Sequence, residues 1–222
     1  MRMRIFGRFW VLAIISVFPA QALPSTPVKI KVACLGDSIT FGAGLDPADS
    51  YPRQLGQLLG PKWEVTNFGH VGATLMNNGD LPYRKTPEFK AALASEPDVV
   101  IIMLGTNDTK PQNWDRHDRF EKDYRDLVTK FESLPTKPKV WLVHPCPVMG
   151  KNVYNIRNAP LSMEIPIIDR IAAELDASII NIYDAMIGKA DLFPDNVHPN
   201  AQGARMIAQL VGGALVGKSR YQ

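Results

Sequence analysis

Residues 98–104 read DVVIIML, and this run of β-branched and aliphatic side chains decides the fold. A strand that is buried on both faces shows no polar alternation, so the run predicts a central strand of a parallel sheet. Four further short runs share this character, at residues 28–35, 63–68, 139–144 and 178–182. Segments with apolar residues at helical spacing lie between and after them, at residues 51–59, 86–94, 120–134, 161–175 and 201–216.

This alternation of strands and helices predicts an α/β fold with a five-stranded parallel sheet and helices on both of its faces. Pro166 falls inside the fourth helical segment, where we expect it either to kink the helix or to mark its true first turn. A chain of 222 residues is long enough for one sizeable domain, which we expect to occupy residues 28–217.

The first 22 residues have the composition of a secretory signal peptide. Three arginines precede the apolar run FWVLAIISVF at residues 9–18, and the small-residue pattern Ala20-Gln21-Ala22 follows. The apolar run is about half the length that spanning a membrane requires. We therefore expect cleavage after Ala22, secretion or a periplasmic location, and no stable membrane insertion afterwards; an uncleaved N-terminal anchor is the alternative.

The net charge of +3 comes from this leader. Residues 1–22 hold three arginines and no acid, which leaves 22 basic and 22 acidic residues in the rest of the chain. A neutral remainder gives no support for nucleic acid as a partner.

The two cysteines, Cys34 and Cys146, are expected to be free and mostly buried. Cys34 lies within the first predicted strand and Cys146 follows the fourth. We expect a third strand to separate these two, and Cα atoms about 7 Å or more apart cannot be bridged without distortion.

Polar residues of catalytic types follow four of the predicted strands. Ligands of parallel α/β sheets bind beyond the carboxyl ends of the strands, so these residues are expected to meet at one edge. The four blocks are GDSIT at residues 36–40, NFGHVG at 67–72, GTND at 105–108 and DNVHP at 195–199.

Together the blocks contain the parts of an acyl-transfer site. Ser38 is a candidate nucleophile, but a neutral hydroxyl is weak and needs an adjacent base. His198 can be that base, because imidazole titrates near neutral pH. Asp195 can accept the other imidazole N–H and fix the tautomer. Pro199 would keep His198 extended and suits the first turn of the last helix.

An oxyanion that forms on the substrate needs hydrogen-bond donors. The N–H groups of Ser38 and Gly72 and the side-chain amide of Asn107 can supply three. Gly69 competes with Gly72 for this assignment, being three residues away. Asn107 also begins a glycosylation sequon, which we interpret as unused because a glycan would obstruct the site.

These blocks, in this order, resemble those of the SGNH (GDSL-type) hydrolases, a family named for its Ser, Gly, Asn and His. Ser38, Gly72, Asn107 and His198 match these four, and Asp195 completes the family's D-x-x-H element. The resemblance implies a flavodoxin-like three-layer α/β/α fold and serine esterase activity without a cofactor.

The resemblance also orders the expected substrates. Carbohydrate O-acetyl esters come first, and a lysophospholipase or thioesterase of the same family is the alternative. A non-catalytic carbohydrate-binding relative is a third hypothesis, weakened because Ser38, Asn107 and His198 are all present.

Two other folds fit less well. The α/β-hydrolase fold would place Ser38 in a G-x-S-x-G elbow, which the sequence around it lacks. Residues 212–219 match a P-loop, but such a loop must follow a strand and open a helix, whereas these residues end a helical pattern.

Several residues near strand ends are candidates for contact with the substrate. We name Asp37, Tyr83, Trp114 and Tyr154 as possible substrate-binding residues, and Arg84 and Val148 lie in or near the same loops. Among the other histidines, His144 is a candidate to support the site from behind, His70 is a candidate to face the pocket without a catalytic role, and His117 is expected at the surface. Asp195 and His198 alone do not make a metal site, so no metal is expected.

Overall fold

A computed structural model describes residues 28–217, and five parallel strands form its single described sheet. The strands are β1 (Ile30–Gly36), β2 (Trp63–Gly69), β3 (Val99–Met103), β4 (Lys139–Val143) and β5 (Ser178–Ile180). Their order is β2-β1-β3-β4-β5, and every neighbouring pair is parallel. This is the flavodoxin-like order, so the predicted fold class is confirmed.

Eight α-helices surround the sheet in the described part of the chain. They are α1 (Ser38–Phe41), α2 (Tyr51–Leu59), α3 (Pro87–Ala94), α4 (Pro111–Trp114), α5 (Phe120–Glu132), α6 (Asn158–Glu174), α7 (Ile182–Met186) and α8 (Ala201–Gly217).

Strand β3 shows why the apolar run predicts the centre of the sheet. Its odd-numbered residues pack into one core with α2 and α8, and its even-numbered residues pack into a second core with α3, α5 and α6. All five residues of the strand are buried. A strand covered by helices on both faces has no solvent-facing side, and the sequence accordingly has no polar alternation there.

Two helices differ from their predicted form. Helix α6 begins at Asn158, so Pro166 lies in its interior and not in its first turn. The first turn of α8 begins at Ala201 and its start is capped by Asn200, whose Oδ1 accepts from Gly203 N at 2.9 Å. Pro199 therefore precedes the helix and is not part of its first turn.

Residues 212–217 of the P-loop match lie inside α8, where Gly212 packs against Leu55 of α2. They therefore open no helix. Strand β3 separates β1 from β4, as predicted, and both Cys34 and Cys146 are free and buried. Burial raises the pKa of the Cys34 thiol to about 12.

The predicted signal peptide lies outside the described residues. Between residues 28 and 217, no helix combines the length and the apolar character that crossing a bilayer requires.

The strand order reverses between β1 and β3, which lie side by side at the centre of the sheet. In folds of this kind the binding crevice forms at that reversal, beyond the carboxyl ends of the strands. Ser38 follows β1 and Asn107 follows β3, so the fold brings two of the predicted blocks to the same crevice.

Candidate active site

Ser38 is the first residue of the short helix α1, directly after β1. The Asp37 carboxylate caps this helix by accepting from Ile39 N at 2.9 Å, and Gly42 ends it with a φ of +88°. The first N–H groups of a helix have no carbonyl partner within it, so the helix leaves the N–H of Ser38 available as a donor. The expectation that Asp37 binds substrate is wrong, because its side chain is fully buried beneath α1.

A chain of hydrogen bonds joins Ser38 to Asp195 through His198. The distance from Ser38 Oγ to His198 Nε2 is 2.8 Å, and from His198 Nδ1 to Asp195 Oδ2 it is 2.7 Å. A carboxylate only accepts, so Nδ1 carries the proton and Nε2 of the neutral ring accepts from the serine hydroxyl. This is the geometry that a serine nucleophile and its base require.

The Asp195 carboxylate accepts four hydrogen bonds. Oδ1 accepts from Val197 N at 2.9 Å and from His198 N at 2.6 Å, while Oδ2 accepts from the His198 ring and from Tyr154 Oη at 3.1 Å. Partial burial alone would raise the pKa of Asp195, but the bonds from His198 and Val197 outweigh it and lower the pKa to about 2. Asp195 is therefore ionised at any pH where His198 could act as a base.

Asn107 lies in a single 3₁₀ turn (Thr106–Thr109) after β3. Its side-chain amide donates to the carbonyl of Ala73 at 3.1 Å, which ties this turn to the loop after β2. An amide has two N–H donors, so one remains for a ligand. The side chain is buried, which leaves no space for a glycan and agrees with the unused sequon.

The structure separates the roles of Gly69 and Gly72. A Cβ on Gly69 would collide with the backbone of Thr40 and Phe41, so Gly69 allows α1 to pack against β2. Gly72 has a φ of +81°, and a Cβ there would meet only the Leu81 side chain at 3.5 Å. Gly72 directly precedes Ala73, whose carbonyl accepts from the Asn107 amide, so it is the glycine that adjoins this contact.

Tyr83 is fully buried, and its hydroxyl donates to the carbonyl of Phe68 at 2.7 Å. The expectation that it binds substrate is therefore wrong. Trp114 is half-buried and stacks on His117, with 4.6 Å between the ring centroids. Tyr154 is 40% exposed and is the one of these aromatic residues that contacts the Ser38–His198–Asp195 chain.

Arg84 and Val148 contact residues other than Ser38, His198 and Asp195. Arg84 donates to the backbone carbonyl of Asp126, and Val148 N donates to Asn158 Oδ1 at 3.0 Å.

The remaining histidines have partners of their own. His70 Nδ1 pairs with Glu88 at 2.7 Å, and His117 Nδ1 lies 2.7 Å from the carbonyl of Trp114. His144 is buried at the end of β4, where Nε2 pairs with Asp169 Oδ1 at 2.8 Å. Each therefore has a structural partner outside the Ser38–His198–Asp195 chain.

Sequence reasoning missed Asp108, which is fully buried behind the site. Its two carboxylate oxygens accept from Leu75 N and Met76 N, both at 2.8 Å, and so hold the loop after β2 against the turn that carries Asn107. The available signal was its position directly after Asn107 at the end of the most apolar strand.

A shallow hollow lies beside Ser38. Its lining residues are Ser38, Ile39, Gly42, Ala43, Leu45, His198 and Pro199. It encloses no deep cavity of the kind that holds drug-sized ligands. Within residues 28–217, no three His, Cys, Asp or Glu side chains converge in a way that could hold a metal ion.

Known proteins resemble this chain in sequence. An acetylxylan esterase of Xylanibacter ruminicola is 36% identical over 207 residues, which cover 84% of this chain and 43% of that protein. The chain thus spans less than half the length of this relative.

Solved structures share the same fold. Est24, a carbohydrate acetylesterase from Sinorhizobium meliloti, is 19% identical with a TM-score of 0.67, covering 85% of this chain and 99% of its own. A two-domain esterase (CEX) active on acetylated mannans is 26% identical with a TM-score of 0.64, covering 86% of this chain and 50% of its own.

The model of the GDSL-like lipase/acylhydrolase family matches residues 34–206, which include all four predicted blocks. This match spans well over half of the chain and agrees with the resemblance read from the blocks. The chain belongs to the GDSL-like lipase/acylhydrolase family.

Proposed function

We propose that this protein is an exported serine esterase that removes acetyl groups from carbohydrates, with Ser38 as nucleophile, His198 as base and Asp195 as the group that orients the base. The observation that carries this proposal is the continuous hydrogen-bond chain from Ser38 Oγ through the His198 ring to an ionised Asp195.

In the first half of the reaction, Ser38 Oγ attacks the ester carbonyl carbon while its proton passes to His198 Nε2. The carbonyl oxygen becomes an oxyanion, and the N–H groups of Ser38 and Gly72 and the Asn107 amide stabilise it. The C–O bond to the alcohol then breaks, and His198 returns the proton to the departing oxygen. Ser38 is left acetylated.

In the second half, water replaces the alcohol. His198 Nε2 takes a proton from the water as its oxygen attacks the acetyl carbon, and the same donors stabilise the second oxyanion. Collapse returns the proton to Ser38 Oγ and releases acetate. The cycle consumes one water per ester bond and uses only side chains and backbone groups of this chain.

The hollow beside Ser38 encloses no deep pocket in this structure, so an extended fatty acyl chain would have to lie outside it. This favours a short acyl group over the lysophospholipase or thioesterase alternative.

Two relatives support a saccharide as the alcohol part of the ester substrate. The Xylanibacter ruminicola protein is an acetylxylan esterase, and the two-domain esterase is active on acetylated mannans. Because this chain spans 43% of the first relative and 50% of the second, their substrates enter only as part of this proposal.

The test is a substrate panel with two axes. One axis is a series of nitrophenyl esters from acetyl to dodecanoyl, and the other is acetylated xylan and mannan oligosaccharides with acetate release measured. Ser38→Ala serves as the blank, with its folding checked by thermal melting. We expect the highest kcat/KM for acetyl esters, acetate release from a saccharide, and loss of both in Ser38→Ala.

Two results would overturn the proposal. An optimum at octanoyl or longer esters would favour the lysophospholipase alternative. Binding of acetylated saccharides without hydrolysis of any ester would favour the non-catalytic hypothesis.

The export part of the proposal is supported by the composition of residues 1–22. Expression with the native N-terminus, followed by mass spectrometry of the secreted or periplasmic fraction, tests it. We expect a mature chain that begins at Leu23; a protein that stays at full length in the membrane fraction would indicate the uncleaved anchor.

A further inference from the structure

Tyr154 shares the carboxylate oxygen that orients His198. Its hydroxyl donates to Asp195 Oδ2 at 3.1 Å, and that same atom accepts from His198 Nδ1 at 2.7 Å. The Tyr154 ring also packs edge-to-face with the His198 ring, with 5.0 Å between centroids and 89° between planes. One side chain thus contacts both the base and the group that orients it.

The loop that carries Tyr154 is held in place on both sides of the tyrosine. Asn152 Oδ1 accepts from Tyr154 N at 3.1 Å and from Ile156 N at 3.2 Å, which fixes the local backbone. Asn196 Nδ2 donates to the carbonyl of Lys151 at 2.9 Å, which ties the loop to the residue after Asp195. The tyrosine is therefore anchored to the segment that carries the acid.

The same loop reaches the other side of the site. Arg157 N donates to Thr109 Oγ1 at 3.1 Å, and its side-chain Nε donates to the carbonyl of Thr109 at 2.9 Å. Thr109 ends the 3₁₀ turn that contains Asn107. The loop thus connects the acid–base pair to the turn with the proposed oxyanion donor.

We propose that Tyr154 is a positioning residue of the acid–base pair, which holds the Asp195 carboxylate through its hydroxyl and the His198 ring through its aromatic edge contact. This inference rests on the proposed function. It adds to it a side chain that lies outside the four blocks on which the family resemblance depends.

The physical consequence is a change in how strongly Asp195 favours protonated His198. A hydroxyl that donates to Oδ2 disperses part of the negative charge on that oxygen. Without it, the charge acts more strongly on the imidazolium and stabilises it. The base then needs a higher pH to become neutral and active.

Among the described residues, the ionisable groups near His198 are Asp195, Tyr154 and Asp37. Asp195 and Tyr154 contact its ring, and the charge of His198 also acts on the buried Asp37 behind Ser38. Asp37 is unchanged by a substitution at Tyr154, so a shift in the pH profile reports on the hydroxyl.

The experiment compares Tyr154→Phe and Tyr154→Ala with wild type. A matched control is Tyr124→Phe, which removes the hydroxyl of a buried tyrosine on α5 that donates to the Ile102 carbonyl at 3.5 Å. The kcat and KM for nitrophenyl acetate and for an acetylated xylan oligosaccharide are measured from about pH 5 to about pH 9.

For Tyr154→Phe we expect the acid limb of kcat/KM to move up by roughly half a pH unit with both substrates, because one donor to the carboxylate is lost. The plateau kcat should fall about threefold and KM should change less than about twofold, since the interaction acts on the base. Tyr154→Ala, which also removes the ring, should lower kcat by about tenfold. Tyr124→Phe should not shift the acid limb of the pH profile of kcat/KM.

Three outcomes overturn the inference. An acid limb that does not move in Tyr154→Phe removes the electrostatic role. A rise in KM for the oligosaccharide alone identifies a substrate contact. A loss of activity that follows the folded fraction, with an unshifted limb, identifies a purely structural residue.

A separate readout distinguishes this inference from the proposed function. The His198 ring is titrated by NMR in wild type and in Tyr154→Phe, which needs no turnover. If wild type hydrolyses no ester, the proposed function fails, and the NMR comparison still decides whether Tyr154 acts on His198.

Discussion

Two sets of carboxyl groups lie at the same end of the sheet, and their surroundings shift the pKa of one set down and of the other up. Asp195 has a side chain that is 35% exposed, four hydrogen-bond donors and a pKa lowered to about 2. Behind the site lies a group that we call the buried acid layer, made of Asp37, Asp108 and Glu164, all fully buried. Burial raises the pKa of each of these three; Asp37 raises the pKa of Asp108 further, and both raise that of Glu164.

The pKa shifts of Glu164, Asp108 and Asp195 follow the number of hydrogen-bond donors to each carboxyl group. Glu164 has no hydrogen-bond partner on either oxygen among the described residues, and burial followed by repulsion from Asp108 holds its pKa well above the ordinary value. Asp108 is equally buried but accepts two backbone N–H bonds, and its pKa rises only to about 7. Asp195 is less buried and accepts four hydrogen bonds, twice as many as Asp108. Burial destabilises the charged form of a carboxyl group, and hydrogen-bond donors offset that destabilisation.

The largest effect should come from removing the charge of Asp195. In Asp195→Asn the amide cannot accept from Nδ1 in the same way, so His198 is held in the wrong tautomer for accepting the serine proton. We expect kcat to fall by about 10³–10⁴-fold with the fold intact. Steady-state kinetics and thermal melting check this. Asp191→Asn, an exposed neighbour on the same segment, is the control and should retain activity.

A smaller loss is expected at Asn107, which directly precedes Asp108 of the buried acid layer. Asn107→Ala removes one proposed oxyanion donor and the bond to the Ala73 carbonyl. We expect kcat to fall by about 10²–10³-fold, because one such donor contributes about that much to transition-state stabilisation. Equal catalysis by Asn107→Ala and wild type would remove the oxyanion role from this residue.

Within the buried acid layer, Glu164→Gln should stabilise the protein above neutral pH. The folded pKa of Glu164 lies above its ordinary 4.5, so the folded protein keeps a proton that the unfolded chain releases. Stability therefore falls as pH rises from about 4.5 toward the folded pKa, by up to about 1.4 kcal/mol per pH unit. Glutamine has no such proton, so the difference between variant and wild type in urea unfolding should grow with pH. A constant difference from about pH 5 to about pH 8 would contradict this.

Asp108→Asn should have the opposite sign at acidic pH. Asparagine keeps one accepting oxygen and turns an N–H₂ group toward a backbone N–H that Asp108 had satisfied. We expect a loss of about 1–3 kcal/mol in the free energy of unfolding at about pH 4, since one buried donor is left unpaired. The loss should shrink or reverse toward about pH 8, because the raised pKa of Asp108 lowers wild-type stability over that range and asparagine has no such proton. At a temperature where the variant is folded, kcat should change by less than about threefold, because Asp108 acts through the loop and not on the substrate.

Much of the fold could be read from local patterns. The composition of the apolar run at residues 98–104 indicates that β3 lies at the centre of the sheet, because a strand buried on both faces has no polar side. Ser38, Asn107 and His198 could be singled out because the carboxyl ends of parallel strands meet at one edge. The family was predictable for the same reason, since its signature residues occupy those ends.

Position after a strand does not reveal the direction of a side chain. Asp37 and Tyr83 follow strand ends as Ser38 and Asn107 do, yet the structure turns the first under α1 and the second into the core. Pro166 is another position that the sequence left open: α6 continues through it, although proline supplies no N–H to the helical hydrogen bonds.

The sequence by itself determined the strand-and-helix alternation, the chemical identity of the candidate nucleophile, base and acid, and the family. Only the tertiary structure decided in which direction the pKa of each acid shifts and which side chains contact the candidate base. Tyr154 and Asp195 are 41 residues apart, and Glu164 lies on a helix whose pattern shows only burial. Hydrogen-bond partners across such separations depend on how loops and helices pack at the sheet edge, and no local pattern encodes that packing.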